Sequence, residues 1–145
     1  MINLIIGPKG SGKTKLLAKK IDKSAKECKG AVLCIKKGDS PMLRLPLANN
    51  NIRVMNTDDF AIKNYDELYG LISGAIASNF DIQEIFLDST FKICSKDLTL
   101  FYDFIEKIQN ELLRDPVTLT VTVSCEKEEI SDTFVKTRGI KIISD

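Results

Sequence analysis

The sequence predicts an α/β fold, a three-layer sandwich built around a mainly parallel sheet. Strand-length apolar runs alternate with longer stretches of helical period through most of the chain. The first run, Ile2 to Ile6, is apolar except for Asn3, as befits a strand covered on both faces. A glycine-rich octapeptide, Gly7-Pro8-Lys9-Gly10-Ser11-Gly12-Lys13-Thr14, joins that run to the first helical stretch. At 145 residues the chain fits one domain, residues 1–145. A chain of this length buries roughly 68–70% of its unfolded surface, enough for a core without disulfides or metal.

Helix one is expected from about Lys13 to Cys28, with Leu17, Ile21, Ala25 and Cys28 on one stripe. Gly30 ends it. Strand two is Ala31 to Lys36. Lys37 to Asn51 carries Gly38, Pro41, Pro46 and three consecutive asparagines, and reads as a long irregular loop. Loops of this length are often functional, which makes it a candidate lid. Strand three is Ile52 to Asn56. Asn64 reads as a helix N-cap, with Glu67 three residues on completing a variant of the capping box. The helix it opens, Tyr65 to about Ser78, carries Leu68, Leu71, Ile72, Ala75 and Ile76. Gly70 and Gly74, four apart, predict close packing of this helix against the sheet. Strand four is Glu84 to Asp88. Helix three, about Leu98 to Leu113, places Leu98, Phe101, Ile105, Ile108 and Leu112 on one face, and Pro116 follows its end. Strand five, Val117 to Ser124, alternates apolar residues with threonine, which predicts one less buried face. A short helix from about Glu126 to Lys136 ends near Gly139, and strand six is Ile140 to Ile143.

The hydrophobic fraction of 43% and charged fraction of 28% are those of a globular chain. No apolar run approaches the roughly 20 residues of a membrane span, and Gly7-Pro8 interrupts the N-terminal run before it reaches signal-peptide length. The expectation is a cytoplasmic protein without membrane insertion. Cys28, Cys34, Cys94 and Cys125 show no C-x-x-C spacing, and the chain has no histidine. That argues against a zinc site and for buried free thiols. Charge is uneven: residues 1–50 hold 11 Lys and Arg against 3 Asp and Glu, and residues 51–145 hold 10 against 17. Lys15, Lys19, Lys20, Lys23, Lys26 and Lys29 supply most of the basic excess on the first helix. A solvated helix face is the plainer account; a protein or nucleic-acid partner at this helix is the sharper one. No aromatic residues are interleaved there to stack on bases.

The octapeptide matches G-x-x-x-x-G-K-[ST], in the strand–loop–helix context that a phosphate-binding loop requires. Glycines allow successive N–H groups to turn inward and approach phosphate oxygens. The helix that follows adds unpaired N–H groups and a partial positive charge. Gly7, Pro8, Lys9, Gly10, Ser11, Gly12, Lys13, Thr14 and Lys15 are thus the candidate phosphate-binding residues. Lys13 is placed to reach the β- and γ-phosphates, and Thr14 to hold Mg²⁺. A second element, Ile85-Phe86-Leu87-Asp88, is an apolar strand ending in an acid, and Asp88 is the second candidate Mg²⁺ ligand.

On these two motifs the chain resembles the P-loop NTPases of the additional-strand type, the RecA-like and related ATPases. Gly7–Thr14 corresponds to the Walker A loop, and Ile85–Asp88 looks like Walker B. The resemblance implies a P-loop NTPase fold, Mg-ATP as ligand, and Lys13 and Asp88 as catalytic residues. In that group a glutamate usually lies near the Walker B acid and activates water; here Ser89, Thr90 and Phe91 follow. Asp58 and Asp59, after strand three, are candidate replacements, with helix capping as their other role. Ser124 lies where the group places a polar residue that senses the γ-phosphate, and Arg138 is a further candidate for contacting phosphate. The layout is similar to type II thymidine kinases, but lacks their catalytic glutamate, zinc cysteines and C-terminal substrate cover. It is also like small bacterial ATP-binding proteins.

Three functions are compatible with these residues. One is a nucleoside-triphosphate-binding protein with slow or partner-stimulated hydrolysis. The second is a non-hydrolysing nucleotide sensor, in which γ-phosphate and Mg²⁺ order the Lys37–Asn51 loop. The third, a nucleoside-type kinase, would need an acceptor pocket and a cationic lid. The absence of an N-K-x-D motif leans toward ATP over GTP.

Overall fold

Six strands form one all-parallel sheet in the computed structural model, which describes residues 1–39 and 51–144. They are β1 (Ile2–Gly7), β2 (Ala31–Lys36), β3 (Ile52–Asn56), β4 (Ile82–Leu87), β5 (Thr118–Ser124) and β6 (Lys141–Ile143). The spatial order is β3-β2-β4-β5-β1-β6. The helices are α1 (Lys13–Glu27), α2 (Tyr65–Ser78), α3 (Thr90–Ile93), α4 (Leu98–Glu111) and α5 (Asp132–Arg138). Short 3₁₀ turns occupy Thr57–Phe60 and Lys127–Glu129. Residues 40–50 of the candidate lid, Arg44 among them, lie outside the described residues.

Strand alternation sends side chains to both faces, and both are covered. On one, Leu17 and Ile21 of α1 pack against Ile5, Val32, Cys34 and Phe86. On the other, Leu68 and Ile72 of α2 and Phe101, Ile105 and Ile108 of α4 join Leu4, Leu33, Ile35, Ile85 and Val121. Aromatic pairs tie α2 and α3 to α4: Tyr65 and Phe104 have ring centroids 5.1 Å apart, and Phe91 meets Phe101 edge-on at 5.4 Å. Each buried Leu, Ile or Phe contributes about 1.5–3 kcal/mol of transfer free energy, so these two clusters dominate stability.

Side-chain caps open α2, α4 and α5, whereas α1 and α3 start without one. Asn64 Oδ1 accepts the Glu67 N–H at 2.8 Å, as expected of an N-cap. The Glu67 carboxylate reaches one residue further back than a capping box requires and accepts the Lys63 N–H at 2.9 Å. The expected single helix over Glu126 to Lys136 is two pieces. Glu126 and Glu129 close their own short turn, and Ser131 then caps α5 by accepting the Phe134 N–H at 3.2 Å.

Two packing expectations are corrected. Strand β5 has no exposed face: Thr120 is 2% exposed and Thr122 is 1% exposed. Their hydroxyls have partners inside the sheet layer, Asn3 for Thr120 and Asp88 for Thr122, so burial leaves neither unsatisfied. Gly70 and Gly74 lie on the exposed face of α2, and a Cβ added at either would meet open space. They do not mediate close packing against the sheet. All four cysteines are free; Cys34 and Cys125 are buried, Cys28 and Cys94 partly so. Burial pushes the Cys34 and Cys94 thiols up to about 12, which keeps them protonated.

Candidate functional site

Because all strands are parallel, their carboxyl ends share one edge, and the loop 8–12 rises from that edge at the end of β1. Gly10 and Gly12 have φ of 82° and 88°, a left-handed conformation that side chains resist. The chain thereby turns sharply into α1, and the Ser11 N–H returns to the Pro8 carbonyl at 3.1 Å. A side chain on Gly7 would run into Ser11 Oγ, so the loop closes over its own first residue. Pro8, Lys9 and Lys15 are exposed around it. Lys13 Nζ curls back and donates to the Pro8 carbonyl at 2.9 Å. Burial lowers the Lys13 amine from its ordinary value, against the opposing pull of the Asp88 carboxylate.

Asp88 leaves the end of β4 and is 4% exposed. Its backbone N–H donates to the Ile35 carbonyl at 2.9 Å, which extends the β2–β4 pairing by one residue. Its carboxylate faces α1: Thr14 Oγ1 donates to it, 3.2 Å from Oδ2 and 3.4 Å from Oδ1. Residues 74 apart in sequence are thus joined by the sheet topology. Strand β5 lies between β4 and β1 and supplies a third member, Thr122, whose hydroxyl donates to Asp88 Oδ1 at 2.6 Å.

Ser124, half-buried at the end of β5, pairs in register with Gly7 beside the start of the loop. Asp58 and Asp59 are not brought to this group. They sit in the 3₁₀ turn after edge strand β3, two strands from β4 and four from β1. At about 4.8 Å per strand, the loop is roughly 19 Å away. Asp58 accepts from Lys37 Nζ at 2.6 Å, and both acids are exposed. Neither caps the turn; Asn56 does, accepting the Asp58 N–H. Arg138 pairs with Glu106 at the end of α5, which leads into the amino end of β6, the edge opposite the loop.

The chain matches no protein-family model and no curated protein.

Two residues at this edge escape the sequence motifs. Thr122 sits in the threonine pattern of β5, and only the β4–β5 pairing puts it beside Asp88. Lys92, on α3, lies near enough for its charge to act on Lys13. The signal for Lys92 was its place four residues after Asp88 in the short turn that leaves β4. A cleft of about 330 Å³ opens beside the loop toward β6, walled by Pro8, Gly12, Lys15, Leu16, Lys19 and Ile143. A cavity of about 440 Å³ lies at the far edge between the ends of α2 and α4, around Ile76, Phe80 and Leu112. Among the described residues no group of three or more His, Cys, Asp and Glu is placed to hold a metal ion, and no helix is long and apolar enough to cross a membrane.

Proposed function

We propose that this chain is a nucleotide-binding protein of the P-loop NTPase type. It takes Mg-ATP on residues 7–15 and hydrolyses it slowly or on stimulation by a partner. The observation that carries this reading is the contact of Thr14 with Asp88 at the carboxyl edge of a parallel sheet. A glycine-rich turn, a helix N-terminus and Lys13 supply the anion cradle. The inserted β5 between the loop strand and the acid-bearing strand agrees with the additional-strand resemblance. The metal donors fit too. Thr14 and Asp88 offer oxygen only, which suits Mg²⁺ when phosphate and water complete the shell. With one carboxylate they make no metal cage by themselves, so the ion would arrive with the nucleotide.

In the reaction, Mg²⁺ would neutralise phosphate charge. Lys13 would exchange the Pro8 carbonyl for phosphate oxygens, and Thr14 and Asp88 would hold the cation's side of the site. One observation favours the non-hydrolysing sensor as the second reading. The residue after Asp88 is Ser89, and Asp58 and Asp59 stand several strands from the loop, so no described carboxylate but Asp88 acts on Lys13.

Calorimetric titration with Mg-ATP, followed by steady-state phosphate release, tests both. Wild type is expected to bind, and Lys13→Ala to bind roughly ten- to hundredfold more weakly, the worth of one or two charge-assisted hydrogen bonds. Equal affinity in the two proteins defeats the reading. Turnover that vanishes in Lys13→Ala identifies an NTPase; tight binding without turnover identifies the sensor.

A further inference from the structure

Thr122 is buried between β4 and β1, and both ends of its hydroxyl are engaged. It donates to Asp88 Oδ1 at 2.6 Å and accepts the Ser89 N–H at 2.9 Å. A hydroxyl has one proton, so these two bonds fix its rotation. They also fix the carboxylate, because a short bond to an ionised oxygen is among the stronger kind. Oδ1 is held from the β5 side, and Oδ2 is the oxygen nearer Thr14. The same hydroxyl pins Ser89, whose φ of 62° is left-handed and unfavourable for a residue with a side chain. Thr122 thus holds both the acid and the strained turn that follows it.

We propose that Thr122 sets the cation preference of the site: its short bond engages Asp88 Oδ1 and leaves Oδ2, reached only by the longer Thr14 bond, as the oxygen that would meet a cation, which favours Mg²⁺ over Ca²⁺. The inference rests on the Mg-nucleotide reading above. Mg²⁺ demands a tight octahedron and takes a carboxylate by a single oxygen, with water and phosphate filling the rest. Ca²⁺ is larger, accepts six to eight oxygens and often draws both from one carboxylate. Thr122 is a positioning residue: its hydroxyl bonds go to Asp88 Oδ1 and the Ser89 N–H, and it acts through the Asp88 carboxylate.

The test compares ATP affinity in saturating MgCl₂ and in saturating CaCl₂ for wild type, Thr122→Val and Thr122→Ser, with ligand-free melting curves for each. Valine keeps the shape and removes the hydroxyl; serine keeps the hydroxyl. Thr122→Val is expected to lose about tenfold in Mg²⁺-supported affinity, the usual cost of removing a hydrogen bond to a metal ligand, and much less with Ca²⁺, so the preference collapses. Thr122→Ser is expected to retain the wild-type ratio. If Thr122→Val does not fold, Thr122→Ala is read in its place. An unchanged Mg²⁺-to-Ca²⁺ ratio in the hydroxyl-free variant overturns the inference and leaves nucleotide binding standing. Equal losses with both cations overturn it as well, and make Thr122 a purely structural hydroxyl. Wild-type protein whose ATP affinity responds neither to Mg²⁺ nor to Lys13→Ala removes the nucleotide reading and this inference together.

Discussion

Lys13, which we propose to bind phosphate, works against the ligand-free fold. Burial depresses its amine, so the ammonium is less favoured in the folded chain than in the unfolded one. Between the folded value and the ordinary 10.5 the unfolded chain holds more protons, so stability rises with pH across that window. Below the window the cost is fully present. Lys13→Met is therefore expected to raise the melting temperature of the ligand-free protein at pH 7 and, on the proposed function, to abolish the rise expected of wild type with Mg-ATP. Differential scanning fluorimetry with and without Mg-ATP measures both, and a ligand-free loss of stability would refute the first half. Asp88→Asn separates metal from phosphate. The amide keeps an oxygen for Thr122 but loses the charge, so binding without Mg²⁺ should hold or tighten. The gain from Mg²⁺ expected of wild type should shrink about ten- to hundredfold. Metal-free affinity falling as far as Mg²⁺-supported affinity would make Asp88 structural. Lys13, Thr14 and Asp88 were legible in the sequence because each belongs to a contiguous motif. Thr122 was not: in sequence it is one of three alternating threonines of β5, and nothing local reveals that β5 enters the sheet beside Asp88.

Strands and helices were legible where period and caps agree. Asn64 and the apolar face of α2 predict Tyr65 to Ser78, and α2 has those bounds. What escaped were units too short to show a period: α3 of four residues, the 3₁₀ turn Thr57–Phe60, and the break at Ser131. Glycine spacing misled as well, because the same four-residue interval places Gly70 and Gly74 on a helix face without saying which face. Their exposure has an energetic consequence. Glycine inside a helix is disfavoured relative to alanine by roughly 0.5–1 kcal/mol, and here nothing crowds a Cβ. Gly70→Ala and Gly74→Ala are each expected to stabilise by that amount. For a chain of this size that is a melting-temperature rise of about 1–4 °C per substitution. The two are one turn apart on an exposed face with open space at each, so the double variant also reads any coupling between them. Thermal unfolding of the single and double variants tests this; destabilisation by either would mean that the face is covered by something in solution.

Across the whole molecule the two sheet faces differ in chemistry. The face packed by α2 and α4 is aliphatic and aromatic throughout its core. The face under α1 is apolar at Ile5, Val32 and Phe86 but polar toward the amino ends of β1, β4 and β5. There Asn3, Glu84, Thr118 and Thr120 floor a cavity of about 310 Å³, beside Lys20 and Lys23 of α1. Glu84 bears the electrostatic cost. Burial raises its carboxyl above the ordinary 4.5, and the N-terminal ammonium only partly opposes the shift. A raised carboxyl means that the folded chain holds more protons than the unfolded one in the window just above pH 4.5. Stability therefore falls as pH climbs through that window, and the loss persists at neutral pH. Glu84→Gln keeps the shape and removes the titration. It is expected to be more stable than wild type at pH 7, to differ less from it near pH 4, and to flatten the slope between. Urea unfolding of both proteins from pH 4 to pH 8 measures the slope. Parallel curves would show that the cavity hydrates Glu84 well enough to cancel its burial. A widening gap with rising pH would mean that polar residues on this face are kept at the expense of stability.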